Sequence, residues 1–562
     1  MIILGISFLS DASAVIVRDG RLVAAVAEER LNRVKQWNGM PLAAVDKVLA
    51  LAGISLAEVD IVATHGAAPP EPESEPYREK ERAIRAASLP ADVAKAQLQR
   101  LAEREAHERR VLGERTPAYL AEVKALGRLV EVHGHHEAHA ATGLYGRGVG
   151  DGWILTIDGW GEDGSSSLWR AEGTGMSRVA FSNSFDSLGY FYGAVTKALG
   201  FIPHRHEGKV LGLAAYCPEP KSLAELRAMV DYDPGRFRFL GRMERGYVPR
   251  MHNPILDPLV ARLPREDIAA GTQQTLEQVV SALIDDLGAG PHRLMVAGGV
   301  FANVKLNQRL AERPNVSDVY VFPNMGDGGL AAGAAWLSYA RRTGRVPERF
   351  FTALLGPAPT EDEVLHELRS SGLPYDRPGD MEDRVAGLLA QGSVVARCAG
   401  AMEYGPRALG NRSILYQASD PGVNDWLNRR LKRSEFMPFA PASLAEAAGD
   451  LYLGLDSARE TAKYMAITFA CTKKMREESP AAVHVDGTAR PQIVDPESYP
   501  AFHRILSAYR RRTGRTSVIN TSFNMHEEPI VCSASDAMRA FRASDLPYLV
   551  LGDYLVTAPS AA

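Results

Sequence analysis

The sequence predicts an α/β protein of two domains, on three observations. A chain of 562 residues that is 46% hydrophobic is too long to organise around one core. From the start to about residue 345, short apolar runs of strand type alternate with segments of helical spacing. TGRVPERFFTALLGPAPTED, residues 343–362, is Pro-rich and aperiodic, and beyond it Gly, Asn and Arg punctuate a second block of short strands. The expected domains are 1–345 and 363–562, with 346–362 as linker.

The first elements follow in order. MIILGIS, SAVIV and RLVAAVAEE read as three strands, with Asp19-Gly20 as the hairpin turn between the second and third. PLAAVDKVLALAGI carries apolar residues at helical spacing, stopped by Gly53, and IVATHG is a further strand. Residues from about 70 to 124 are polar and charge-alternating, as in EREAHERR. A solvated helical insertion is expected there, with a lid or acceptor-recognition element as the alternative.

HGHHEAHA, residues 133–140, sets His135 and His139 four apart, so on a helix both imidazoles face the same way. Such a pair also arises on ordinary solvated helix faces. WILTIDGWGEDGSSSLW, from Trp153, adds a buried strand ending at Asp158, a glycine-rich turn and a second strand. Two histidines and a carboxylate make a set suited to Fe(II), Mn(II) or Zn(II).

Glu207-Gly208-Lys209 sits where a loop enters a helix, and RLMVAGGVFANVKLNQRL gives a strand, a Gly298-Gly299 turn and a helix, followed by VYVF and PNMGDGGLAAGAAW. Paired glycines at such a turn let a nucleotide approach the backbone. A strand-turn-strand unit with Asp11, a second with Asp158 and a late Gly-Gly turn occur in the order of the actin-like ATPase and sugar-kinase (ASKHA) fold, which grips nucleotide between two related halves. That analogy supports nucleotide binding without settling the reaction.

The second block holds AMEYGPRALGNRSIL, LNRRLKRSEFMPFAPASL, HVDGTARPQIV and VINTSFNMHEEPIV. Arg407, Arg412, Lys432, Arg433 and Arg490 lie in these punctuated segments and suit a small phosphorylated substrate, although any one of them could simply be solvated.

A net charge of −4 leaves no global footprint for nucleic acid or a membrane surface. No apolar run reaches the roughly 18 residues of a membrane span, and the first residues lack the basic lead of a signal peptide, so a cytoplasmic location is expected. Cys217, Cys398, Cys471 and Cys532 show no metal or disulfide spacing and read as buried free thiols.

Taken together, SDASAVIVRDG, VAEERLNRVK, HHEAHAA, LTIDGWGE, EGKVLGLAAY, AGGVFANVKLN, GDGGLAAGAA, MEYGPRALGNRSIL, HVDGTARPQIV and NTSFNMHEEPIV resemble the NodU/CmcH carbamoyltransferase family, which includes O-carbamoyltransferases of the TobZ type. The resemblance runs almost end to end apart from the insertion. It implies an N-terminal ASKHA domain like the universal tRNA-threonylcarbamoyl transferase and a C-terminal YrdC-like α/β domain. The chemistry it implies has two steps. ATP (with Mg) and carbamoyl phosphate give carbamoyl adenylate in the YrdC-like domain, and the N-terminal domain passes the carbamoyl group to a small-molecule acceptor, a specialised-metabolite (natural product) amine or hydroxyl. A closed path between the steps would protect the labile adenylate from water.

By the same resemblance, His135, His139, Asp158 and Asp327 match the ligands of an iron that also contacts the nucleotide. Glu207, Lys209, Gly298, Gly299 and Asn303 match nucleotide-contacting loops, and Arg407, Arg412, Lys432, Arg490, Asn520, Thr521 and Ser522 match the carbamoyl-phosphate and ATP side. A homodimer is common for such folds.

Two departures stand out. The family usually has His-Asp in the first motif, its histidine the base that deprotonates the acceptor; here Ser10 precedes Asp11. A serine hydroxyl cannot act as a general base near neutral pH. Met437 in EFMPFAP replaces an arginine of the presumed phosphate pocket. Three readings follow for Ser10: an amine acceptor that needs less help, a different base such as Asp11, His136 or a group of the acceptor, or a nucleotide-binding scaffold or regulatory module that has lost transfer. A small-molecule kinase of the same fold leaves the second domain unexplained.

Overall fold

The computed structural model describes residues 1–8, 10–66, 71–161, 164–431 and 436–559. The fold is mixed α/β, as predicted. Its first sheet contains β1 (Ile2–Ser7), β2 (Ser13–Arg18), β3 (Arg21–Ala27), β4 (Ile61–His65) and β5 (Leu129–His133) in the order β3-β2-β1-β4-β5. Asp19 and Gly20, both at positive φ (51° and 87°), make the turn between β2 and β3. The helix Leu42–Ala52 ends at Gly53 in the left-handed conformation (φ 64°), as its sequence predicts.

The second sheet contains β6 (Gly152–Gly161), β7 (Gly164–Glu172) and β8 (Gly175–Asn183). After a two-stranded ribbon of β9 (Val230–Asp233) and β10 (Arg238–Gly241), β11 (His292–Ala297) and β12 (Val316–Val321) complete it in the order β12-β11-β6-β7-β8. Each sheet is thus a meander of three strands extended by two parallel strands beside its first, which is the duplicated pattern expected of an actin-like domain. β6 runs to Gly161 rather than stopping at Asp158, and its pairing with β7 is irregular between Ile157 and Gly161.

The C-terminal part holds β13 (Tyr375–Asp376), β14 (Val395–Cys398), β15 (Arg412–Gln417), β16 (Ala440–Leu444), β17 (Phe469–Ala470), β18 (Thr488–Ala489), β19 (Gln492–Val494), β20 (Ser517–Ser522), β21 (Tyr548–Leu551) and β22 (Tyr554–Thr557). Eight of these form one sheet, β13-β22-β21-β14-β15-β20-β16-β19.

The chain divides into two compact units: 1–7, 19–21 and 59–349 in one, and 8–18, 22–58 and 350–562 in the other. This differs from a first domain running unbroken over 1–345. The reason is a set of bonds from the early segment: Ala25 N–H to the Leu355 carbonyl (3.1 Å), Arg30 to the Gly405 carbonyl (3.0 Å), and Arg33 to the carbonyls of Pro529 and Ile530 (both 2.7 Å) and to Asp536 (3.2 Å). The segment 346–362 is likewise no free linker. Tyr404 N–H donates to Ala353 (2.7 Å) and Gly356 N–H to Met402 (2.8 Å), and Leu354 bridges Glu403.

The insertion is helical, Glu75–Ala86, Ala91–Arg110 and Thr116–Ala125 with a π-helical turn before the last, but it is not merely solvated. Ile84 and Leu101 pack with Phe185 and Met243. Lys80 is buried against Asp186, and Arg104 lies 4.5 Å from the Tyr190 ring centre and 5.4 Å from that of Trp160. The charge-alternating text hides an inward face whose cations have partners.

Candidate metal centre and the loops around it

The helix His135–Arg147 starts directly after β5, with Gly134 as its extended N-cap. One helical turn stacks His135 over His139, their ring centres 4.7 Å apart. Asp158 comes from β6, and Asp327 opens the short turn Asp327–Gly329 that leads into the helix Leu330–Thr343. The two helices touch at Gly333, where a Cβ would stand 1.9 Å from the Ala138 carbonyl oxygen. Only glycine permits this approach, which holds the Asp327 turn beside the histidine pair.

His139 Nε2 lies 3.1 Å from Asp158 Oδ2 and 3.6 Å from Asp327 Oδ1, and His135 Nε2 lies 3.7 Å from each of the same oxygens. One ligand atom from each residue fits within 4.8 Å of all the others. Metal bonds of about 2.0–2.2 Å put neighbouring ligand atoms about 2.8–3.6 Å apart, so this spacing suits an ion at the centre. Two imidazoles and two carboxylates fit Fe(II), with Mn(II) or Zn(II) as compatible alternatives.

The electrostatics agree with a cation site. Burial opposes ionisation of Asp158, yet the hydrogen bonds and charges of His135 and His139 hold its carboxyl well below the usual range. Burial likewise disfavours a charged His139, but Asp158 and Asp327 outweigh it and raise the imidazole to about 9. His136 faces elsewhere: its Nδ1 is 2.9 Å from Thr156 Oγ1, and burial, reinforced by His135 and His139, pushes it down to about 3.

Around this centre the predicted nucleotide loops have structural duties. Gly298 has φ 100° and a Cβ there would stand 2.3 Å from the Ile157 carbonyl oxygen, so its glycine is required by strand packing. Gly299 N–H lies 3.3 Å from Asp158 Oδ2. Asn303 caps the helix Val304–Ala311 through Leu306 N–H (2.9 Å) and pairs with Gln273 (2.8 Å), so its amide is already committed. Glu207 and Lys209 open the helix Glu207–Ala214; Glu207 accepts from His204 N–H (2.6 Å), and burial raises its carboxyl. Two residues missed by sequence reasoning also belong here: Ser7 and His65 end neighbouring strands, and the His65 ring centre is 5.6 Å from that of His135. An isolated histidine at the end of an apolar strand carries no spacing signal.

In the other unit, Ser10 and Asp11 form a turn in which Asp11 has φ 52°. Antiparallel β15 and β20 set Ser413 opposite Ser522 and Ile414 opposite Thr521. Gln492 donates to the Leu409 carbonyl and accepts from Asn520 (both 2.8 Å), bringing the segments of Arg407, Arg490 and Asn520–Ser522 to one place. Within that place the expected roles divide. Arg412 is fully buried and donates to the carbonyls of Pro357 (2.8 Å), Gly400 (3.0 Å) and Asn411 (3.0 Å), so it braces the loop instead of meeting phosphate. Asn520 is buried too, its amide nitrogen donating to Gln492 Oε1 (2.8 Å) and the Ala408 carbonyl (3.2 Å). Arg407, Arg490, Thr521 and Ser522 are half-buried. Lys432 and Arg433 lie outside the described residues. Sequence reasoning missed Glu403, whose Oε1 accepts the N–H groups of Leu409 (2.7 Å), Asn411 (2.8 Å) and Arg412 (3.1 Å) and so shapes this loop.

Family models of the carbamoyltransferase N-terminus and C-terminus match residues 2–336 and 386–558. The chain belongs to the carbamoyltransferase family. Carbamoyl transfer is therefore its general class of reaction. This carbamoyltransferase is 33% identical to nodulation protein NolNO of Sinorhizobium fredii, over 99% of its own length and 80% of the relative's. It is 32% identical to an uncharacterised protein of Synechocystis, over 99% and 96% of the two chains. Among solved structures, HypF of T. kodakarensis is similar at a TM-score of 0.35 and 10% identity, over 61% of this chain and 48% of that one. Among the described residues, no helix of the carbamoyltransferase is long and apolar enough to cross a membrane.

Proposed function

We propose that this carbamoyltransferase uses ATP and carbamoyl phosphate to make carbamoyl adenylate and transfers the carbamoyl group to a small natural-product amine or hydroxyl. The observation that carries the reading is the cluster of His135, His139, Asp158 and Asp327, in a chain of carbamoyltransferase sequence. The first step consumes one water: carbamoyl phosphate is hydrolysed to carbamate and inorganic phosphate, and a carbamate oxygen then attacks the α-phosphorus of ATP, forming the adenylate as the bond to pyrophosphate breaks.

The four clustered residues would hold Fe(II), which when bound supplies a Lewis acid to polarise the carbamoyl carbonyl and steady the AMP leaving group. The protein does the rest. Gly159 and Gly299 N–H groups fix the Asp158 carboxylate at 2.7 and 3.3 Å. Lys209, buried at the start of its helix, supplies positive charge for nucleotide phosphate. Arg407, Arg490, Thr521 and Ser522 bind the phosphates of ATP and carbamoyl phosphate. Ser10 cannot take the acceptor proton, and His136 is buried and bonded to Thr156. For a hydroxyl acceptor, Asp11 and a neighbouring group of the acceptor are the remaining bases to test, whereas a neutral amine would attack without one.

Incubation with ATP, Mg²⁺ and carbamoyl phosphate tests the first step. Carbamoyl-phosphate-dependent pyrophosphate release is expected. ADP formation would make the protein a kinase, and tight nucleotide binding without turnover would make it a regulatory module. Mass spectrometry of candidate amines and alcohols for one added carbamoyl group tests the second.

A further inference from the structure

We infer that Ser7 and His65 are positioning residues for the metal centre, holding Asp327 and His135 in place. The inference rests on the reading of the four-residue cluster as a metal site. β1 and β4 are parallel neighbours in the register Ile6 to Thr64, so their next residues, Ser7 and His65, end side by side. Ser7 is fully buried and His65 nearly so. Ser7 Oγ is 2.7 Å from the backbone carbonyl oxygen of Asp327 and 3.4 Å from His65 Nε2.

A serine hydroxyl has one proton. The short bond to a carbonyl, which can only accept, claims it; the contact with His65 must then run from Nε2–H to the Ser7 oxygen. The proton of His65 is thus on Nε2. This chain of donors ends on the residue that supplies the Asp327 carboxylate, at the first position of the turn Asp327–Gly329. The other face of the arrangement is steric: the His65 ring meets that of His135 edge-on, at 79°. Two strand ends of the first sheet therefore support one carboxylate and one imidazole that meet at Asp158 of the second.

Groups that orient metal ligands typically contribute about 10–100-fold to metal affinity. The test is anaerobic Fe(II) titration of the full-length protein against a competing chelator, with bound iron counted by elemental analysis and folding followed by circular dichroism. Ser7→Ala and His65→Ala are expected to weaken Fe(II) binding about 10–100-fold. His65→Gln, whose amide can donate from a similar place, should restore much of it, and His65→Leu, of comparable bulk, should not. That last pair reads the same hydrogen bond if an alanine variant fails to fold. Wild-type affinity in Ser7→Ala and His65→Leu, with binding abolished in His139→Ala, would overturn the positioning role alone. Wild-type affinity in His139→Ala would overturn the metal site itself, and the inference with it.

Discussion

The backbone N–H of Gly299 points at the carboxylate of Asp158, 3.3 Å from Oδ2, while Gly159 N–H bonds Oδ1 at 2.7 Å. Both oxygens of this carboxylate are thus oriented by backbone. The Gly-Gly turn that suggests a nucleotide cradle in the sequence also packs against the candidate metal site, and a side chain at Gly299 would come within 3.1 Å of Asp158 Oδ1.

Asp158→Asn removes the anion while keeping the shape, so iron bound after anaerobic loading should fall at least about tenfold. Acceptor carbamoylation should fall with it, and carbamoyl-phosphate-dependent pyrophosphate release should persist. Loss of pyrophosphate release with iron retained would contradict the assignment of roles.

Arg412→Met should cost about 2–5 kcal/mol of stability, because several carbonyls lose their donor at a buried site. Urea denaturation reads this directly. Arg407→Ala, at a half-buried position, should instead raise the KM for carbamoyl phosphate with little change in the urea midpoint.

Lys80→Met leaves Asp186 buried without its cation and should destabilise by about 3–5 kcal/mol. Asp186 also accepts Gly241 N–H at 2.6 Å, so Lys80→Met with Asp186→Asn, which keeps an acceptor, should be milder than Lys80→Met alone. The exposed pair Arg82–Glu75 provides the contrast: Arg82→Ala should change stability by less than about 1 kcal/mol. Equal effects of the two single changes would mean that the insertion is solvated throughout.

Burial pushes the Cys398 thiol up to about 11 and that of Cys471 to about 12. An unfolded thiol ionises near about 8.5. Between these values the unfolded chain has released protons that the folded chain retains, so stability present below pH 8.5 should be lost as the pH rises toward 11. Chemical denaturation at a series of alkaline pH values should show a shallower decline in the Cys398→Ala, Cys471→Ala double variant. In the native protein at pH 8, a disulfide reagent should modify Cys217, which is half-buried, before the three buried cysteines.

The elements that are legible in the sequence share one property: their signal is local. The Asp19-Gly20 turn, the helix stopped by Gly53 and the stacking of His135 on His139 all follow from spacing within a few residues. The long motifs were enough to identify a carbamoyltransferase and, through that resemblance, to add Asp327 to the histidines and Asp158. The order of strands carried the repeated sheet pattern as well.

Tertiary structure decided what each polar group faces. Arg407 and Arg412 are five residues apart in one motif, but the first is half-buried and the second is enclosed by carbonyls. The polar text of the insertion conceals Lys80 against Asp186, and residues 22–58 fold with a unit that begins again at residue 350. Ser7 and Asp327 meet across 320 positions of chain. Periodicity records which residues share a face of one element, whereas the partner of a guanidinium, an amide or a hydroxyl depends on which distant backbone packs beside it. In this carbamoyltransferase the sequence therefore determined the family, the α/β elements and the four residues that cluster as a candidate metal site, and packing determined which of the remaining polar residues are enclosed and which are half-buried.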